Sequence, residues 1–187
     1  MQMKRRVSVL LALLVALTAF ALPGAMAKQP IGTSESNLVE TAIAANESND
    51  FDLLIGALVA VEGSAGFLEL LGGPGSFAVF APTDQAFIDL ASAVAGEPVA
   101  EDEVLGTLVG ALGVGAIIDV LAYHVAPLDA DYDKLLRGRT TMANGDILKI
   151  TRKQLKDGTG AKSRIAAGPV FASNGYIMVI DRVVLPG

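Results

Sequence analysis

The 187-residue sequence contains no cysteine and no tryptophan, a single histidine, and only 5% aromatic residues. Without cysteine the chain cannot form disulfide bonds, use a thiol nucleophile, or carry the cysteine-linked lipid of an exported lipoprotein. It also has no Gly-x-Ser-x-Gly motif to supply a serine nucleophile. Stability must therefore come from packing and backbone hydrogen bonds, and the protein is expected not to be an enzyme.

The first 27 residues are expected to be a secretory signal peptide. A basic head, MQMKRR, precedes the 16-residue uncharged run VSVLLALLVALTAFAL, and a small-x-small triplet ends at Ala27. The run is shorter than the ~20 apolar residues that cross a bilayer, although a retained anchor stays the alternative. We expect a secreted or envelope-associated protein that meets the membrane only through this segment, with a linker over residues 28–35 and one domain over residues 36–187.

Basic residues are almost missing from the first part of the mature chain. Residues 28–133 contain 17 acidic residues and one basic residue, whereas residues 134–187 contain 10 basic and 3 acidic residues. Such a charge distribution affects association rather than the fold. Two explanations stay open. The charges offset each other within one molecule, or they form a dipolar surface that promotes self-association or binding of a polyanion.

Hydrophobic periodicity predicts a helical first half and a strand-rich second half. Helices are expected over residues 37–48, 49–63, 66–75 and 84–96, and two more over residues 104–125, which glycines divide. Asn49 or Asp50 is expected to cap the second helix and Gly63 to end it. Strands are expected at residues 76–83, 146–155, 162–167 and 176–185, with turns at the Asn-Gly and Asp-Gly pairs. The last strand is apolar on both alternations, so both its faces should be covered, and one α+β domain is predicted.

The segment FAVFAPTDQAF, residues 77–87, has the pattern of a strand that ends and a helix that begins. Pro82 fixes its own backbone and favours an extended residue before it. Thr83 is suited to cap the helix, and Asp84 complements the positive end of its dipole. Three aromatic residues are expected to anchor strand and helix in one core: Phe77, Phe80 and Phe87. The segment is interpreted as structural rather than as an active-site loop.

Three segments, in this order, resemble the signatures of the fasciclin-type domain, a secreted α+β module of matrix and adhesion proteins. FAVFAPTDQAF resembles the first signature, LAYHV at residues 121–125 the tyrosine–histidine motif, and ASNGYIMVIDRVVLP at residues 172–186 the second signature. The resemblance implies a helical N-terminal half packed on a sandwich-like or wedge-shaped sheet formed mainly by the C-terminal half. The signature residues are Phe80, Pro82, Thr83, Asp84, Phe87, Asn174, Gly175 and Asp181. Met178 departs from the family, which often has histidine there.

The resemblance also directs attention to Tyr123 and His124, because in animal members the tyrosine–histidine region is associated with integrin contact. The two residues are therefore candidates for an interaction site. From the residues alone, His124 lacks the nucleophile and orienting acid that a catalytic base requires. We expect a mostly buried imidazole that is hydrogen-bonded to the loop around Thr83 and Asp84.

Alternating acidic residues resemble the start of a calcium loop: Asp129, Asp131 and Asp133. An EF-hand counted from Asp129 requires glycine at position 134 and glutamate at position 140, where this chain has lysine and threonine. A solvated turn is preferred, and a weak calcium site is the alternative. No cofactor or metal site is therefore predicted, and nothing singles out a carboxylate pair for a hydrolase.

The segment from Lys149 to Arg164 is the main candidate for specific binding, with six basic residues and one acidic residue. Strand alternation predicts Leu148 and Ile150 inward and Lys149, Thr151 and Lys153 outward. Because no aromatic residue is interleaved, base stacking is unavailable and nucleic acid is disfavoured. The candidate residues are Lys149, Arg152, Lys153, Lys156, Lys162 and Arg164. A solvated edge strand that discourages aggregation is the alternative.

Two functions are carried forward from the sequence. The first is an exported, non-enzymatic adhesion or interaction module that binds an extracellular protein or an acidic polysaccharide. Self-association through the opposite charges is a variant of it. The second is an extracellular carrier of an apolar small molecule such as a carotenoid or lipid, which the resemblance suggests because some members of the family bind carotenoids. A carrier requires an apolar groove beyond the core.

Overall fold

The computed structural model describes residues 35–46, 50–128, 135–136 and 138–187. The predicted signal peptide, its cleavage point at Ala27, and all but the last residue of the predicted linker lie outside these ranges. So do Asp129, Asp131 and Asp133, the start of the sequence that resembles a calcium loop.

Six α-helices lie within the described residues: α1 (Leu38–Ala45), α2 (Asp52–Ala65), α3 (Phe67–Gly72), α4 (Asp84–Ala95), α5 (Val104–Leu112) and α6 (Val114–Ala122). Gly113, with φ +80°, separates α5 from α6, which confirms the predicted division of that segment. No single helix in the described ranges is long and apolar enough to cross a membrane. Residues 101–112 and 114–122 meet the criterion only as a pair, with a bend of 106° between them.

Seven strands form one sheet in the described part: β1 (Phe77–Pro82), β2 (Val125–Pro127), β3 (Gly138–Thr141), β4 (Ile147–Ile150), β5 (Gln154–Lys156), β6 (Lys162–Ala172) and β7 (Gly175–Ile180). Their order is β2-β1-β7-β6-β5-β4-β3, and every pair is antiparallel except β1 with β7. The predicted α+β class is confirmed, with the helices mainly before the strands. The single strand predicted over residues 146–155 is wrong. Thr151 and Gln154 close a tight turn there that has no glycine, asparagine or proline to reveal it.

The long strand β6 belongs to two parts of the sheet. Residues 162–164 pair with β5, and residues 165–172 pair with β7 through two shifts of register. We call β3, β4, β5 and residues 162–164 the basic subsheet. The helix-side subsheet consists of β2, β1, β7 and residues 165–172. This division corresponds to the sandwich-like or wedge-shaped sheet that the resemblance implied.

Two hydrophobic cores cover the two faces of the helix-side subsheet. The first lies between this subsheet and the helices and contains Phe77, Phe87 and Ile177. The second lies between the two subsheets and contains Phe80 and Met178. The predicted single core for Phe77, Phe80 and Phe87 is wrong, because strand side chains three positions apart point to opposite faces. The prediction that the last strand is covered on both faces is confirmed.

The ends of α2 differ from those predicted. Its N-cap is Phe51, which has no capping side chain, and not Asp50. The helix continues through Gly63 to Ala65, and Gly66 caps its C-terminal end with a φ of +61°, the left-handed conformation that ends helices. Gly63 lies in the last turn of α2, and glycine weakens a helix without necessarily breaking it.

Candidate functional site

The first signature joins β1 to α4 and also supports α2. The Thr83 hydroxyl accepts a hydrogen bond from the Ala86 N–H at 3.4 Å, which confirms the predicted cap. Asp84 is buried, and its carboxylate accepts hydrogen bonds from Leu53 N–H at 2.9 Å and Asp52 N–H at 3.2 Å. Burial raises the pKa of Asp84, and these two N–H groups oppose the rise. Asp84 therefore lies in the first turn of α4 but caps α2, a tertiary role that local sequence does not reveal.

The second signature fixes the turn between β6 and β7 to two helices. Asn174 Oδ1 accepts from Leu38 N–H at 2.9 Å, and Asn174 Nδ2 donates to the carbonyls of Leu71 at 2.7 Å and Gly73 at 3.2 Å. One amide therefore joins the start of α1 to the end of α3. Gly175 has φ +154°, and a Cβ there would collide with the Phe77 carbonyl oxygen, so only glycine allows β1 to lie beside β7.

The side chains of Tyr123 and His124 lie inside the protein, with 0% and 2% exposure. The Tyr123 hydroxyl donates to the Ile147 carbonyl at 3.1 Å, which joins the end of α6 to β4. Burial is the main cause that raises the pKa of Tyr123. A partner cannot contact either side chain directly in this conformation, so we do not include them in the candidate interface.

His124 is held by two backbone groups on opposite sides of its ring. Nδ1 lies 2.7 Å from the Val120 carbonyl oxygen, and Nε2 lies 3.1 Å from the Val184 N–H. A carbonyl only accepts and an N–H only donates, so the network assigns a neutral imidazole with its proton on Nδ1. Burial lowers the pKa of His124 to about 4. The predicted burial is confirmed, but the predicted partner loop around Thr83 is wrong, because Val184, 60 residues away, occupies that position.

The predicted alternation of side chains is confirmed along β4, and β5 starts its own alternation after the turn at residues 151–153. Leu148, Ile150 and Leu155 are 0 to 1% exposed and pack in the second core, whereas Lys149 and Lys156 are exposed. One face of the subsheet therefore completes the core, and the other carries its basic residues into solvent.

Strand register aligns basic side chains directly across the outer face. Arg139 pairs with Lys149, Lys149 with Lys156, and Lys156 with Lys162. We call these four residues the cationic row. Neighbouring strands lie ~4.8 Å apart, so the row extends over about 14 Å. All four side chains are exposed, and no described acidic residue forms an ion pair with them.

Sequence reasoning missed Arg139, although a signal for it was present. The Asn-Gly turn is centred on Asn144, and residues equally distant from that centre pair across β3 and β4, so Arg139 falls opposite Lys149. The other predicted basic residues take different places. Arg152 and Lys153 lie in the exposed turn at residues 151–153, and Arg164 lies on the same face as the row, opposite Gln154.

Comparison with known proteins identifies the family. The model of the Fasciclin domain matches residues 54–186. The chain belongs to the fasciclin-domain family. A relative from Synechocystis sp. (strain ATCC 27184 / PCC 6803 / Kazusa), Protein sll1483, is 31% identical over 167 residues, which cover 87% of this chain and 80% of the relative. The match to the family model of this fasciclin-domain protein begins within α2. The predicted domain start at residue 36 therefore stays a prediction.

One solved structure that matches the chain is a FAS1 domain pair from the insect cell adhesion molecule Fasciclin I. The TM-score is 0.47 and the sequence identity 14%. The match covers 73% of this fasciclin-domain chain and 46% of that structure, so the present chain spans less than half of the insect domain pair.

A cleft of about 490 Å³ lies at the β6 end of the cationic row in this fasciclin domain. It separates α4 from a wall formed by β5, β6 and the segment after β7. Two acidic side chains hold this wall in place. Asp157 accepts from the Ala161 N–H at 2.8 Å and the Leu185 N–H at 3.2 Å, and Asp181 accepts from the Arg164 N–H at 2.7 Å.

One apolar pocket of the fasciclin domain is small. It lies among α2, α4, α5 and α6 and has a volume of about 30 Å³. Pockets for small-molecule ligands usually have ~300–1,000 Å³. The described residues also contain no group of three or more histidine, aspartate or glutamate side chains placed to hold a metal ion.

The charges of the described residues are divided between the two layers. Residues 35–46 and 50–128, which contain all six helices and strands β1 and β2, include no lysine or arginine. All the described basic residues lie between Arg139 and Arg182. The acidic helices and the basic subsheet lie on opposite sides of the two cores, except at the cleft, where Asp89 of α4 and Lys162 and Arg164 of β6 line the same space.

Proposed function

We propose that this fasciclin-domain protein is a non-enzymatic interaction module that binds an acidic polysaccharide through the cationic row. Membership of a family known for adhesion and interaction supports the first part of this proposal. Binding of an acidic polysaccharide is supported by the strand register, which aligns four basic residues in one row. Export rests on the predicted signal peptide at residues 1–27.

Without a bound anion, the like charges of the cationic row repel one another. Like charges that lie directly opposite on neighbouring strands destabilise a sheet, and here three successive pairs have the same sign. An anionic polymer relieves this repulsion. Its charged groups can follow the row, because the four cations repeat at the regular strand spacing.

The remaining side chains on this face favour a polysaccharide over a nucleic acid. Thr141, Ile147, Gln154 and Arg164 flank the row, and these described residues include no aromatic side chain that could stack on a base. A carrier of apolar molecules gains no support from an apolar pocket of about 30 Å³. The acidic helices of a second copy are the competing partner for the row.

The test compares two double variants that remove the same charge. Lys149→Gln with Lys156→Gln changes the row, and Arg152→Gln with Lys153→Gln changes the adjacent turn. Retention of the mature protein is measured on immobilised polygalacturonate and dextran sulfate, with neutral dextran as the blank. Each exposed ion pair contributes ~0.2–1 kcal/mol, so the row variant should bind roughly 2- to 30-fold more weakly than the parent at low salt.

The turn variant should retain most of the parent's affinity, and added salt should weaken binding of the parent. Equal losses in both variants would assign the binding to net charge and refute the role of the row. No retention of the parent on either polymer would refute the polysaccharide. A dimer at low salt that the row variant abolishes would then identify a second copy as the partner.

A further inference from the structure

The cleft beside the cationic row is large enough for a small ligand. Its volume of about 490 Å³ falls within the range usual for small-molecule sites. Lys162 belongs to the row and also lines the cleft. A polymer that follows the row from β3 towards β6 therefore reaches the cleft without leaving the protein surface.

The cleft combines positive charge with groups that bind hydroxyls. Lys162, Arg164 and Arg182 are exposed cations along its lining. Asp89 of α4 lines the same cleft. One of its oxygens accepts a hydrogen bond from Gln85 Nε2 at 2.8 Å, which leaves the carboxylate capacity for other donors. Leu90 adds an apolar surface.

The other two acidic residues of the cleft already have structural partners. Asp157 holds the β5–β6 turn and the C-terminal segment, and Asp181 holds the start of β6. Three basic and three acidic side chains thus line the cleft, so their formal charges balance. A simple anion is not favoured by a balanced cleft, whereas a ligand with one anionic group and several hydroxyls matches both kinds of side chain.

We propose that this cleft is a subsite for one acidic sugar unit of the polymer. The carboxylate or sulfate of that unit lies toward Lys162, Arg164 and Arg182, and its hydroxyls donate to Asp89. The subsite rests on the proposed polysaccharide function and makes it specific, because the row attracts polyanions in general while the cleft selects a hydroxylated one.

Substitution of Asp89 is the decisive test, because simple electrostatic attraction and the subsite predict opposite changes in the affinity for an acidic sugar. Asp89→Ala removes a negative charge, so simple electrostatic attraction predicts tighter binding of an acidic sugar. The subsite predicts weaker binding, since the hydroxyl acceptor is lost, by about fivefold from a hydrogen bond of ~1 kcal/mol. Alanine favours the helix at this exposed position. Glu101→Ala, an exposed site outside the cleft, is the control with the same change of charge.

Binding is measured by calorimetry on the mature protein with digalacturonate and with a sulfated disaccharide. Arg182→Gln should weaken binding of the disaccharide, and Arg152→Gln is its charge-matched control. The row variant should leave disaccharide binding nearly unchanged and weaken binding of the polymer. Unfolding curves of every variant check that the fold is retained.

The outcomes separate the two proposals. Weaker disaccharide binding in both cleft variants, with unchanged binding in both controls, supports the subsite. If the polymer binds through the row but neither disaccharide binds, or if Asp89→Ala binds as tightly as the parent or more tightly, the subsite is refuted and the proposed function stands. If neither the polymer nor a disaccharide binds, the proposed function itself fails.

Discussion

Acidification is expected to destabilise this protein through one buried side chain, His124. Its neutral ring donates from Nδ1 to Val120 and accepts at Nε2 from Val184. Protonation would place a second N–H at Nε2, directed at the Val184 N–H, in a position with no solvent to compensate the charge. The folded protein therefore resists protonation until the pH is near the lowered pKa of about 4.

The size of the effect follows from the two pKa values of His124. In the unfolded chain the pKa is near 6.5, and in the folded protein it is about 4. Since the folded pKa is the lower one, the contribution is complete above pH ~6.5 and is lost as the pH falls. Linkage gives a loss in the free energy of unfolding of about 2 kcal/mol at pH 5 and about 3 kcal/mol at pH 4.

Urea unfolding of the parent and His124→Asn at a series of pH values isolates this contribution. The variant should be less stable near neutral pH, because buried hydrogen bonds are lost at ~1–3 kcal/mol for each unsatisfied group. The free energy of unfolding of the parent should then fall by about 3 kcal/mol more than that of the variant between neutral pH and pH 4. Titration of the carboxyl groups is common to both proteins and cancels in the difference.

Parallel pH profiles for the parent and the variant would refute the reasoning. An independent check uses the fact that the chain has one histidine, so its imidazole signals in an NMR spectrum need no assignment. These signals should not titrate between about pH 8 and pH 5. A midpoint near 6.5 in the folded protein would show that the ring is accessible to water.

Two further substitutions test the signature residues. Asp84→Ala should lower the free energy of unfolding by about 2 kcal/mol, because the N–H of Leu53 loses its cap, whereas Asp89→Ala on the same helix should change it by less than ~0.5 kcal/mol. Tyr123→Phe should cost about 1 kcal/mol for the hydrogen bond to Ile147 and leave retention on polygalacturonate unchanged. Reduced retention at unchanged stability would instead show that the tyrosine contacts the polymer.

Features that depend only on neighbouring residues along the chain could be predicted from the sequence. The Thr83 cap, the end of α4 at Gly96 and the break at Gly113 each follow from residue types within one helical turn. The alternation at Leu148 and Lys149 was equally predictable, because a strand has only two faces. These features fixed the α+β class and the exposed position of the basic residues.

Features that depend on distant parts of the chain were missed. The carboxylate of Asp84 caps a helix that begins 32 residues earlier, and the partner of His124 lies 60 residues later. Arg139 is a different case, because the nearby Asn-Gly turn already indicated its place opposite Lys149. The cleft likewise requires α4 and the segment after β7 to meet, which no pattern within either segment indicates.

The continuity of β6 through both subsheets has a consequence for cooperativity. If the basic subsheet melts, residues 162–164 lose their partners on β5, and the same strand continues into its pairing with β7. The second core is also shared, since Leu148 and Met178 come from different subsheets. Partial melting of one subsheet therefore exposes apolar surface belonging to the other. The basic subsheet and the helix-side subsheet should therefore unfold in one transition. The cationic row and the family signatures are then lost together.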